Sequence, residues 1–242
     1  IMIWLTKVYV KIVEWIVPAK RKGDDEFQLK FISSGMLSAS ELNITQAEKE
    51  IAVFADRVNR MLSMARELVH TKGNSEDFNK RSSRLEKYED ISDRMEIEIA
   101  NYLNRCAEGR LSNEGKRHVS AMLAIVSEIE SIADCCSGVG KILLRKQQGN
   151  VHFNEEIYHN IDVMFDYVQK AMENMLLLLR DLENNSSEDI ISSYNREREI
   201  NNMRNTLRAA NIENIKEHHY EYQAGIYYMD IVSTLEKTGD YI

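Results

Sequence analysis

Ile51-Ala-Val-Phe-Ala-Asp-Arg-Val-Asn-Arg-Met-Leu-Ser-Met-Ala-Arg-Glu-Leu68 decides the fold. Its apolar positions Ile51, Phe54, Val58, Met61, Ala65 and Leu68 step by 3, 4, 3, 4 and 3. That spacing is the seam of a helix in a bundle. It predicts a helix over about 41–71, closed by Lys72-Gly73-Asn74. The same stepping returns downstream. A second helix, about 76–108, carries Leu85, Tyr88, Ser92, Met95, Ile99, Tyr102 and Cys106, with Gly109 closing it. A third runs to about 147 through Val119, Met122, Val126, Ile129, Ala133 and Cys136, with Ser112 as its N-cap.

Gln148-Gly-Asn150 marks the best boundary. Asn154 caps a fourth helix bearing Ile157, Ile161, Met164, Val168, Met175 and Leu182, which Asn184-Asn-Ser-Ser187 breaks. A fifth carries Ile200, Met203, Leu207 and Ala210. After a break near 212–219, a sixth carries Tyr228, Val232, Leu235 and Gly239. Short loops make neighbouring helices antiparallel. The expected fold is all-α: two tandem antiparallel three-helix bundles, covering 41–149 and 150–242.

Composition agrees. The chain has 242 residues, of which 43% are hydrophobic and 29% charged, with ten Gly and a single Pro. So little turn chemistry leaves no room for an all-β fold. A net charge of −8 argues against a nucleic-acid binder, which needs clustered Lys and Arg. Cys106, Cys135 and Cys136 form no disulfide framework or C-x-x-C zinc motif, and are expected as reduced, buried side chains.

The N-terminus stands apart. Ile1 to Pro18 is apolar except for Thr6 and a polar stripe of Lys7, Lys11 and Glu14, and Lys20-Arg-Lys22 follows. Residues 1–22 read as the tail of a membrane helix or an interfacial helix with a cytoplasmic basic flank. The alternative is an amphipathic helix packed on this chain or a second copy. Residues 23–40 read as a linker, in which Phe27, Leu29 and Phe31 alternate as a short strand would.

Carboxylates four residues apart recur at matched places. They are Glu89 and Asp93 in the second helix, and Glu130 and Asp134 in the third. In the fifth helix Glu197 pairs with Asn201, and in the sixth Glu236 pairs with Asp240. Glu89 and Glu197 are 108 residues apart, Glu130 and Glu236 106, which signals an internal duplication. With the seams as heptad positions a and d, all four glutamates fall at e and their partners at b. Each pair then lies on the flank of its helix. Two carboxylates at i and i+4 repel by about 0.2–0.5 kcal/mol. Two such helices side by side gather four, and a cation relieves the repulsion. Oxygen donors suit magnesium, calcium, manganese or iron, and borderline zinc is also possible.

These motifs resemble a known family. Tyr88-Glu-Asp-Ile-Ser-Asp-Arg-Met-Glu96, Ile129-Glu-Ser-Ile-Ala-Asp134 and Thr234-Leu-Glu-Lys-Thr-Gly-Asp-Tyr241 look like the repeated motifs of the PhoU family of phosphate-uptake regulators. The apolar segment and linker upstream look like the arrangement in bacterial sodium/phosphate cotransporters. The resemblance implies a double three-helix bundle with metal clusters in E-x-x-x-D motifs, at the cytoplasmic face of the inner membrane. It implies regulation of phosphate uptake, with the transporter's membrane domain upstream in the same chain, or other transport or signalling proteins, as partner. The metal implied is iron, zinc, manganese or magnesium. By position, Glu89, Asp93, Glu130 and Asp134 form one metal cluster; Glu197, Asn201, Glu236 and Asp240 form the other.

This chain departs from the family pattern at Ser131, Ala133, Lys237 and Thr238. Asn201 stands where an Asp is usual, so the second cluster is expected to bind more weakly. By the same pattern the second repeat is expected to lack its closing turns.

Other motifs carry less. His218-His219 diverge on a helix and read as surface residues; His118 and His152 flank the third helix. No phosphate-cradling glycine loop and no nucleophile–base triad is legible, so no enzyme is expected. The alternatives to a transporter domain are a stand-alone PhoU-like regulator, or a structural bundle that pairs with a second copy.

Overall fold

The computed structural model describes residues 27, 29–32, 40–71, 75–109, 111–180 and 187–242. Six helices fill almost all of that length: α1 Ser40–Val69, α2 Ser75–Glu108, α3 Asn113–Gln148, α4 Glu155–Arg180, α5 Ser187–Lys216 and α6 Tyr222–Asp240. The described residues contain no strand. The chain is all-α, as expected. The apolar stretch 1–18 lies outside the described residues, as do Leu182 and the break at 184–186. Among the described residues no helix is long and apolar enough to cross a membrane.

The caps act where the sequence puts them. Ser112 Oγ accepts from the Gly115 N–H at 3.0 Å, and Asn154 Oδ1 accepts from the Ile157 N–H at 2.9 Å. Each satisfies a donor that the first helical turn leaves open. Asn150, at φ 51°, turns the chain between α3 and α4.

α1, α2 and α3 pack on one another, and so do α4, α5 and α6. The two bundles meet through equivalent helices, α1 against α4 and α3 against α6. Like meets like in this way when two copies of one unit form an isologous contact. The seam residues of α1, α2 and α3 are all buried, from Ile51 and Phe54 to Ala133 and Cys136. One apolar core runs through both bundles.

α5 departs from the expected register. Ala210 is exposed and Asn211 is buried in its place. Asn211 Oδ1 accepts the Tyr220 hydroxyl at 2.8 Å, so a hydrogen bond compensates the buried amide. α5 also continues to Lys216, and the break falls at 217–221, where His218 sits at φ 60°. His218 and His219 are exposed, as expected.

The described linker residues, 27 and 29–32, form no strand. Phe27 and Leu29 are half-buried against the core, but Phe31 is exposed and its neighbour Ile32 is buried. Alternation fails because the chain bends at Lys30 and Phe31 to aim both backbone N–H groups at Glu50. Its Oε2 accepts them at 2.8 and 2.6 Å, and Glu50 is fully buried. The Arg94 guanidinium lies 4.1 Å from the Phe27 ring centroid, within cation–π range. Residues 27 and 29–32 thus act as a strap fastened across α1 and α2.

Gly239 sets the approach of α5 to α6. A Cβ there would lie 2.8 Å from Ile200 Cδ1 and 3.0 Å from Ile200 Cγ2. Ile200 is itself buried and cannot swing away freely. Gly239→Val is therefore expected to destabilise the fold by about 1–3 kcal/mol, and Gly239→Ala by less. Urea unfolding followed by circular dichroism measures this; equal stability of Gly239→Val and the parent would refute the close approach.

Candidate metal centre

Tyr88 and Ile129 point into the core of the first bundle, so the next residue on each helix falls on its flank. Glu89 and Glu130 are accordingly half-buried, while Asp93 and Asp134, one turn on, are exposed. Asp93, Glu130 and Asp134 converge: one carboxylate oxygen from each lies within 4.8 Å of the others. α2 supplies the first and α3 the other two.

A fourth carboxylate, Glu96, lies near without sharing that convergence. Glu96 repels Glu130, is repelled by Asp93 and Asp134, and is hydrogen-bonded by Ser127. The i, i+4 pattern does not show Glu96, which lies three residues after Asp93. The signal that could have found it is Ser127, three residues before Glu130 on the facing helix. Glu89, by contrast, turns partly away: its Oε1 pairs with Lys141 Nζ at 3.2 Å.

Crowding has a titration signature. Burial first, then Asp134, Glu96 and Asp93, push Glu130 up to about 7, and it shares a carboxyl–carboxylate hydrogen bond with Asp134. Burial and Glu89 raise Asp93. Burial and Asp93 raise Glu96. The donor set is all oxygen, acidic and mutually repelling, which fits a hard divalent cation.

The second set is arranged differently. Glu197 and Glu236 both raise Asp240, after burial, so these three carboxylates do come near one another. However, Arg204 enters the group and bonds Glu236 Oε1 at 2.6 Å, both side chains being mostly buried. Arg204 also draws Asp240 down. A guanidinium therefore supplies positive charge within this set, as Lys141 does at the Glu89 edge of the first. Asn201 is half-buried on the same helix as Arg204. His118 bonds Glu48 at 2.8 Å and takes no part in either set.

The architecture defines a class, a tandem helical bundle with an acidic cluster between two helices of its first unit. Residues 51–143 match the PhoU domain family. That span runs from the α1 seam to the last turns of α3 and contains Asp93, Glu96, Glu130 and Asp134. No curated protein matches the chain.

Glu130 makes stability depend on pH. Its folded-state value is above the usual one near 4.5, so the folded protein holds more proton than the unfolded chain between about 4.5 and about 7. Without added metal, stability should fall as pH rises through that window, by about 1–2 kcal/mol after solvent screening. Glu130→Gln should flatten the fall and raise the melting temperature at alkaline pH. Thermal melts of both proteins across pH check this; parallel profiles would count against it.

Proposed function

We propose that this chain is a PhoU-type regulatory domain that binds a metal ion between α2 and α3 and modulates phosphate uptake. The observation that carries the reading is the Asp93–Glu130–Asp134 convergence, within the span that matches the PhoU domain. The domain would work at the cytoplasmic face of the inner membrane, attached to a sodium-dependent phosphate transporter through the apolar segment before the strap. It acts by binding rather than turnover.

Asp93, Glu130 and Asp134 would hold the ion, with Glu96 as a fourth oxygen donor. Iron, manganese or magnesium suit oxygen ligands better than zinc, which usually recruits nitrogen or sulfur. The ion would supply a compact positive charge that joins α2 to α3. It would also displace the proton between Glu130 and Asp134. The second set should bind a cation more weakly, because Arg204 already neutralises Glu236 and Asn201 contributes no charge.

Metal content, measured by mass spectrometry on protein purified without a metal-affinity tag, tests the reading. Near-stoichiometric metal is expected, with loss in a Glu130→Ala/Asp134→Ala variant. No metal in either protein, even after anaerobic loading with iron, manganese or zinc, would leave a structural bundle. Arg204→Gln is expected to raise binding at the second set without changing the first. Phosphoester hydrolysis by the loaded protein would contradict a purely regulatory role.

A further inference from the structure

Where the bundles join, a cavity of about 750 Å³ opens between the end of α1, the start of α2, the end of α3 and the start of α4. Junctions of this kind are common places for small-molecule sites, and the volume is in their usual range. Three walls are aromatic or aliphatic: Phe78 from α2, Leu143 from α3, and Phe153 with Tyr158 at the α4 entry. The Phe153 and Tyr158 rings meet edge to face, with centroids 5.7 Å apart.

Into this cavity projects Lys146, from the last turn of α3. Its side chain is half-buried, and its Nζ lies 4.4 Å from the Phe153 ring centroid. Among the described residues no carboxylate comes within ion-pair distance of it. Burial lowers its affinity for a proton, so the ammonium is held there at a cost. The neighbouring groove on α1 is different: there Arg66 and Arg81 are each tied to two carboxylates. α4 begins at the cavity rim behind its Asn154 cap, and a helix start favours negative charge. Glu155, exposed at the rim, disfavours a highly charged anion.

We propose that this cavity is a binding site for an aromatic anion, a planar ring bearing one phosphate or carboxylate. The ring packs against Phe153 and Tyr158, and the anionic group pairs with the Lys146 ammonium. The inference is independent of the acidic cluster, which lies on the α2–α3 flank.

Titration calorimetry on the whole chain tests it with adenosine monophosphate and 4-hydroxybenzoate as the probes. Adenosine and inorganic phosphate serve as controls for ring and charge alone. At least one probe should bind saturably below about 1 mM, and at least tenfold more tightly than its ring-only or charge-only control. Lys146→Gln should weaken that probe about tenfold, with the fold intact by circular dichroism. Hydrogen exchange with the probe bound should show protection over 146–158. No saturable binding by either probe would overturn the proposal. So would binding unchanged in Lys146→Gln, phosphate binding as tightly as the best probe, or protection confined to another region.

Discussion

α3 has to satisfy two bundles at once, and the acidic cluster follows from how it divides its surface. Its a and d positions, from Val119 to Cys136, face α1 and α2. A second buried stripe, Ile132, Cys135, Val139 and Ile142, steps by 3, 4 and 3 along one flank. Cys135 in that stripe hydrogen-bonds Thr238 of α6. With one flank spent on the other bundle, Glu130 and Asp134 fall where α3 meets Asp93 of α2, and Asp134 also edges a groove lined by Thr234 and Lys237 of α6. A helix buried on so wide an arc has few positions left for charge. The cluster is therefore tied to the packing of α3.

The fold was legible because seam residues obey a local rule. Ile51 to Leu68 need only the helical period to be read as one face, and the caps Ser112 and Asn154 need only their own next turn. The e and b flank of the carboxylate motifs follows from the same period, which is why Asp93, Glu130 and Asp134 could be named in advance as neighbours. Side chains that cross between helices were not legible. The Lys141–Glu89 and Arg204–Glu236 pairs join residues 52 and 32 positions apart. Long flexible side chains choose such partners from three-dimensional proximity alone. Alternation misread the linker for a related reason: a buried carboxylate on α1 dictates the bend at Lys30 and Phe31. The second stripe of α3 was hidden because it answers to α6, far along the chain.

The two carboxylate sets differ while occupying matched places on their helices. Gly239 and Ala133 occupy matched seam positions, and Gly239 keeps α6 close to α5. Around that common frame, one set crowds carboxylates until Glu130 retains its proton near neutrality. The other admits Arg204 and tolerates Asn201. The first set is crowded by its own carboxylates, with Lys141 on Glu89 at its edge; the second holds Arg204 against Glu236.

The strap at Phe27 to Ile32 has a geometric consequence for whatever precedes it. Nine peptide units separate Pro18 from Phe27. A fully extended chain covers only about 30 Å over that length. Because Phe27 is pinned under Arg94 and Glu50 clamps the residues after it, the strap itself gives no slack. An anchor at residues 1–18 would hold the α1–α2 side within that radius. It would limit both how far the bundle can travel and which of its faces can reach a neighbour.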